Sequence, residues 1–238
     1  MNKIILLFIL FFVIIVLYNY TSSKLTNSSN VHVYLINLPK NTERKDNFEK
    51  YYKGKYQIIE AVDGKSLVDS PLFKNWSCIK NKDYKFGTKA LQLSNLKCFE
   101  DAKKNNYEWI LIFEDDAEPP VDIDKRIQEI IYKYSDSKVI YLDNRNEEGE
   151  GLIPMCCTSA LLYNNSTFDL LLKELNPETS DIMKNYYNEN KYLPHEDCNF
   201  DFLLADILHK YNIKTYSVAL VQSGRFTTTI AMEYKEGD

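Results

Sequence analysis

The chain has 238 residues, 45% of them hydrophobic and 13% aromatic, and a formal net charge of −5. That length suits one substantial domain, and the composition excludes a disordered chain. The acidic balance excludes the electrostatic footprint of a nucleic-acid binder, and an anionic substrate would need a metal ion or a few locally placed cations.

The chain opens with an apolar run, Ile4 to Leu17, preceded by Lys3. The run is shorter than the roughly 20 residues that span a bilayer comfortably, so a cleaved signal peptide and a signal anchor both fit. No A-x-A-like cleavage site follows, and Tyr18 and Tyr20 suit a membrane interface. The expectation is therefore a single-pass membrane segment over residues 1–20 with the body outside the cytosol, in the ER or Golgi lumen of a eukaryote; cleavage would give a secreted protein. N-glycosylation patterns at Asn19, Asn27, Asn75, Asn164 and Asn165 agree with that placement. Residues 21–30, "TSSKLTNSSN", read as a stem, and residues 31–238 as the functional domain.

"VHVYLINL" predicts a central strand, and "TERKDNFEKYYK" behind it a helix with Phe48, Tyr51 and Tyr52 at helical spacing. Tyr56 to Ile59 predicts a second strand that leads to a turn at Asp63-Gly64. From Gly87 a helix is predicted with Ala90, Leu93, Leu96, Cys98 and Ala102 facing inward, and Trp109 to Phe113 then forms a buried strand. This strand runs straight into Glu114-Asp115-Asp116 and stops at Pro119-Pro120, which cannot continue a ladder, so the acids sit at a strand's end.

Further on, "DIDKRIQEIIYKY" predicts a helix, "KVIYLD" a strand and "NRNEEGEG" a polar loop. "TSALLYN" predicts a strand, "STFDLLLKEL" and "EDCNFDFLLADILHKY" helices, and "YSVALV" a strand. The five cysteines, Cys78, Cys98, Cys156, Cys157 and Cys198, have no C-x-x-C spacing, which argues against zinc. Cys156-Cys157 reads as a buried strand edge, with a disulfide partner for one of them as the alternative. Strands alternating with helices predict an α/β fold, a single domain whose mostly parallel sheet is flanked by helices.

Ligands of such sheets bind off the carboxyl ends of the strands, where the three acids lie. Carboxylates at that edge can hold Mg²⁺ or Mn²⁺, hard cations that take oxygen ligands. Alternation along an extended chain sends Glu114 and Asp116 one way and Asp115 the other. A plain acidic turn is the competing explanation for "EDD" alone.

"VYLINLPKNTERKDNFEK" resembles the opening of glycosyltransferase family 25, the group of lipopolysaccharide and procollagen galactosyltransferases. "IIEAVDGK" is similar to the family's A-x-D-G turn, "GTKALQLSNLKCFEDAKKNNYEWILIFEDDAEPP" to its helix running into L-I-x-E-D-D, and "CTSALLYN" to its following strand. The matches keep the family's order over about Val31 to Gln222. Ser94-Asn95 stands where the family has Ser-His, and Ala90 where it has cysteine; Asn95 cannot titrate, so it offers no acid–base group.

The resemblance implies a GT-A type, Rossmann-like domain that transfers a sugar, galactose from UDP-galactose, to a glycan, glycoprotein or glycolipid acceptor with inversion. It implies Mn²⁺ or Mg²⁺ held by Glu114 and Asp116, with Asn37, Arg44, Asp63, Ser94 and Asp115 on the UDP-sugar donor and Lys40 as a further phosphate contact. The acceptor's proton would go to Glu196, Asp197 or Asp201, with Asp197 preferred. His195 is a candidate ligand or a surface histidine, Gln222 a candidate for the acceptor side, and His32 and His209 read as structural. One rival is a non-catalytic GT-A shell that binds a glycan or a partner. The other is a metal-dependent hydrolase using the same acids and His195, which lacks a multi-histidine spacing.

Overall fold

Two-residue periodicity sets the central layer. In β1 (Val31–Asn37), Tyr34 and Ile36 enter one apolar core while Val33 and Leu35 enter another, so the sheet is buried on both faces. The same division runs through β3 (Trp109–Glu114), where Ile110 and Ile112 face the first core and Leu111 and Phe113 the second. The computed structural model describes residues 11–13, 30–67, 70–71, 85–150, 157–182 and 199–224. It divides into two units, Met1–Asn30 and Val31–Asp238, and the sheet belongs to the second.

Besides β1 and β3 the sheet contains β2 (Gln57–Glu60), β4 (Ala117–Glu118), β5 (Val139–Asp143), β6 (Gly149–Glu150), β7 (Ala160–Asn164) and β8 (Thr215–Ser223). Its order is β2-β1-β3-β7-β5-β8-β4, with β6 also on β8. Strands β2, β1, β3, β5 and β8 share one direction; β7, β4 and β6 run against it. The domain is thus mixed α/β with a mostly parallel sheet, as expected. The antiparallel β7 between β3 and β5 matters for the site, because it brings its own beginning to the carboxyl ends of its two neighbours.

Helices cover both faces. On the second core lie α1 (Thr42–Tyr51), through Phe48, and α3 (Ile123–Lys133), whose Ile123, Ile127, Ile130 and Ile131 repeat at the helical period while Tyr132 on the other side is exposed. On the first core lie α2 (Lys85–Lys104), α4 (Phe168–Glu174) and α5 (Phe200–Lys210), supplying Leu96, Phe99, Phe168, Leu171, Leu203 and Leu204. Each fully buried side chain of this size contributes about 1.5–3 kcal/mol relative to exposure.

Differences from expectation are local. Strands β4 and β6 are two residues each, too short to show a period. Cys157 is not in a ladder: it stands before β7 in the left-handed region with φ 72°, and it forms no disulfide among the described residues. Cys78, Cys156 and Cys198 lie outside the described residues, as does the apolar run Ile4 to Leu17 apart from residues 11–13, which are helical and exposed. Among the described residues no helix is long and apolar enough to cross a membrane.

Candidate functional site

The carboxyl ends of β1, β3 and β5, the start of β7 and the end of β8 meet at one edge of the sheet. Because Ile36 pairs with Glu114 in the parallel β1–β3 ladder, the next residues, Asn37 and Asp115, become neighbours. Asn37 Nδ2 donates to Asp115 Oδ2 at 2.9 Å, and Arg44 of α1 donates to Oδ1 at 2.6 Å. Burial pushes the Asp115 carboxyl up, against the Arg44 guanidinium and the Asn37 amide. Three residues assigned to the donor from sequence are thereby brought together, with Asp115 at the centre.

Glu114 and Asp116 turn away from that clamp. The Thr158 hydroxyl lies 2.8 Å from Glu114 Oε1 and 2.9 Å from Asp201 Oδ1, while the Cys157 amide donates to Asp201 Oδ2 at 2.9 Å. Burial, with repulsion from Asp116 and Asp201, raises Glu114 well above the usual carboxylate range. Asp116 is raised as well, chiefly by burial. Its Oδ2 accepts from Ser223 Oγ at 3.2 Å, whereas Oδ1 is buried without a hydrogen-bond partner.

A cleft of about 740 Å³, partly open to solvent, lies against this edge and is lined among others by Arg44, Asp63, Lys65, Ser94, Glu114 and Asp115. The turn after β2 forms its far wall. A Cβ on Gly64 would come within 3.0 Å of the Gly87 nitrogen, so glycine there lets the turn sit against the first turn of α2. Asp63 accepts from the Lys65 amide at 3.0 Å and pairs with Lys40 at 3.1 Å, and that amide, ahead of Lys40, holds its carboxyl below the usual range. Ser94 is fully buried; it donates to the Ala90 carbonyl at 2.6 Å and accepts from the Val62 amide at 2.9 Å, which fastens the turn to α2. Asn95 donates to the Leu91 carbonyl at 3.0 Å.

The remaining sequence candidates stand apart. Gln222 is exposed on β8 opposite Glu118, His209 is exposed at the end of α5, and His32 bonds Gln57 and stacks on Tyr107. His195, Glu196 and Asp197 lie outside the described residues. Sequence reasoning missed Asp143, Arg145, Thr158 and Ser159. Asp143 ends β5 fully buried, bonded by Ser159 Oγ and by Arg145. "KVIYLD" carried a usable signal, since it runs from apolar strand into an acid just as "WILIFED" does. Among the described residues no group of three or more His, Cys, Asp or Glu side chains is placed to hold a metal ion.

Residues 30–150, just over half of the chain, match glycosyltransferase family 25 (LPS biosynthesis protein). Among solved structures the chain is similar to a glycosyltransferase involved in glycosylation of the major capsid of PBCV-1, with 12% identity and a TM-score of 0.45 over 83% of this chain and 94% of that one. It is also similar to mouse xyloside xylosyltransferase 1, with 10% identity and a TM-score of 0.44 over 79% and 72% of the two chains. No curated protein matches it. Since the family match begins at β1, runs past Arg145 and takes in every residue that lines the cleft, the chain belongs to glycosyltransferase family 25, a family of enzymes that transfer sugars.

Proposed function

We propose that the chain transfers a hexose, galactose from UDP-galactose, to a glycan, glycoprotein or glycolipid acceptor, with inversion and with a divalent cation. The observation that carries this reading is the meeting of Glu114, Asp116 and Asp201 at the sheet edge, where Asp116 Oδ1 is buried and unpartnered. An orphaned carboxylate oxygen and crowded like charges fit a hard cation. Glu114 and Asp116 would hold Mn²⁺ or Mg²⁺, which when bound neutralises charge on the leaving diphosphate.

The chain's own residues account for the rest. Arg44 and Asn37 fix Asp115 in the cleft wall, and the Asp63 turn offers a carboxylate to a ribose or base, held there by Lys40 and the Lys65 amide. Asp201 is the base that takes the proton of the attacking acceptor hydroxyl on its carboxylate. Its bonds to Thr158 and to the Cys157 amide support this choice over Glu196 and Asp197, and burial raises its carboxyl, which strengthens it as a base. The apolar run Ile4 to Leu17 supports an anchored enzyme working outside the cytosol.

Calorimetric titration of the full chain with a panel of nucleotide sugars, in Mn²⁺ and in EDTA, tests the reading. Metal-dependent binding of UDP-galactose is expected. Binding of no member of the panel by folded protein would instead favour a shell that has lost turnover.

A further inference from the structure

Asp143 and Arg145 form a second charged unit at the sheet edge. The Asp143 carboxylate, fully buried, accepts from Ser159 Oγ, from the Arg145 amide at 2.9 Å, from Arg145 Nε at 2.9 Å and from Nη2 at 2.5 Å. Two parallel bonds hold the guanidinium in one plane. Its side chain is nonetheless 49% exposed, and Nη1 makes no hydrogen bond among the described residues.

This guanidinium belongs to the acid cluster. Asn146 Nδ2, one residue on, donates to the Cys157 carbonyl at 3.2 Å, and residues 157–159 in turn bond Asp201, Glu114 and Asp143. The charge of Arg145 also works against the burial that raises Asp116 and Asp201. Arg44 is bound to Asp115. An anionic donor that enters beside Glu114, Asp116 and Asp201 meets repulsion unless a cation with open donors stands among them. A planar guanidinium suits a diphosphate.

On the donor reading above, we infer that Arg145 binds the diphosphate of the nucleotide donor through Nη1, with Asp143 as the residue that positions it. Arg145 would therefore separate diphosphates from monophosphates.

The test measures the affinities of the full chain for UDP and UMP, with Mn²⁺ present, in the wild type, R145Q, R145K and the double variant D143N/R145Q. The double variant leaves no buried unpaired carboxylate, so it decides the matter if R145Q does not fold. UDP is expected to bind the wild type more tightly than UMP. Both glutamine variants should weaken UDP by about tenfold or more and UMP by less than about threefold, with R145K in between. Equal loss for both nucleotides, or none, in folded D143N/R145Q overturns the role of Arg145 while leaving the donor reading standing. A wild type that binds neither nucleotide removes the donor reading and the Arg145 assignment together.

Discussion

Two adjacent residues, Cys157 and Thr158, hold the acids of this site in register, and each does so with a different part of the residue. Thr158 acts through its hydroxyl, shared between Glu114 and Asp201. Thr158→Val keeps the shape and removes the bond, leaving two buried carboxyls without their common partner. A loss of about 1–3 kcal/mol in urea unfolding is expected, together with a fall of at least tenfold in turnover and little change in donor affinity if Asp201 acts on the acceptor as proposed. Unchanged turnover would remove Asp201 from the role of base. Cys157 acts through its backbone, since its amide donates to Asp201 from a left-handed conformation. Cys157→Gly should leave turnover near the wild-type value. Cys157→Val, β-branched at φ 72°, should cost about 1–2 kcal/mol and lower turnover. Equal activity in both variants would mean that the conformation at 157 is not what holds Asp201.

At the scale of elements, α4 and α5 are joined away from the site by Glu174, the last residue of α4 and fully buried. It accepts from Tyr211 Oη at 2.6 Å, from the Ile182 amide at 3.1 Å and from Ser180 Oγ at 3.3 Å. Burial works to raise this carboxyl, but those bonds and the Lys173 charge outweigh it and hold it below the usual range. A depressed folded pKa gives stability that is present above the unfolded value of about 4.3 and disappears as pH falls through the folded one. Glu174→Gln should therefore cost about 1–3 kcal/mol at pH 7, and the gap to wild type should close towards pH 3 in urea titrations. A gap independent of pH would mean that shape, and not charge, is what the joint uses. The helices it connects were legible from their apolar spacing, as were β1, β3, β5 and β8 from their β-branched runs. The orientation of β7 was not: "ALLYN" is equally apolar in either direction, and only tertiary pairing inserts it antiparallel between β3 and β5. For that reason the acids at 114 and 116 could be named from sequence, whereas the Thr158 and Ser159 contacts that β7 delivers could not.

At the scale of the molecule, the site draws together the ends of β3, β5 and β8, the start of β7 and the first turn of α5, which are remote in sequence. The clustering of Glu114, Asp116 and Asp201 opposes the fold that creates it, since burial and mutual repulsion raise Glu114 and burial raises the other two. A cation held there, as proposed, would reverse that balance and tie the remote segments to one another. If the proposed ion binds the folded state and not the unfolded one, Mn²⁺ at about a hundred times its dissociation constant would add roughly 2.7 kcal/mol of stability. For a domain of this size that corresponds to a rise of about 5–10 °C in Tm over the protein in EDTA. Asp116→Asn should abolish the rise. It should also melt above the wild type when both are in EDTA, because it removes one of the crowded charges and gives the orphaned position a neutral amide. The two effects have opposite signs in the same variant, so loss of folding cannot mimic them. A rise with Mn²⁺ that survives Asp116→Asn would place the ion elsewhere and leave the strand-end acids with a structural part only.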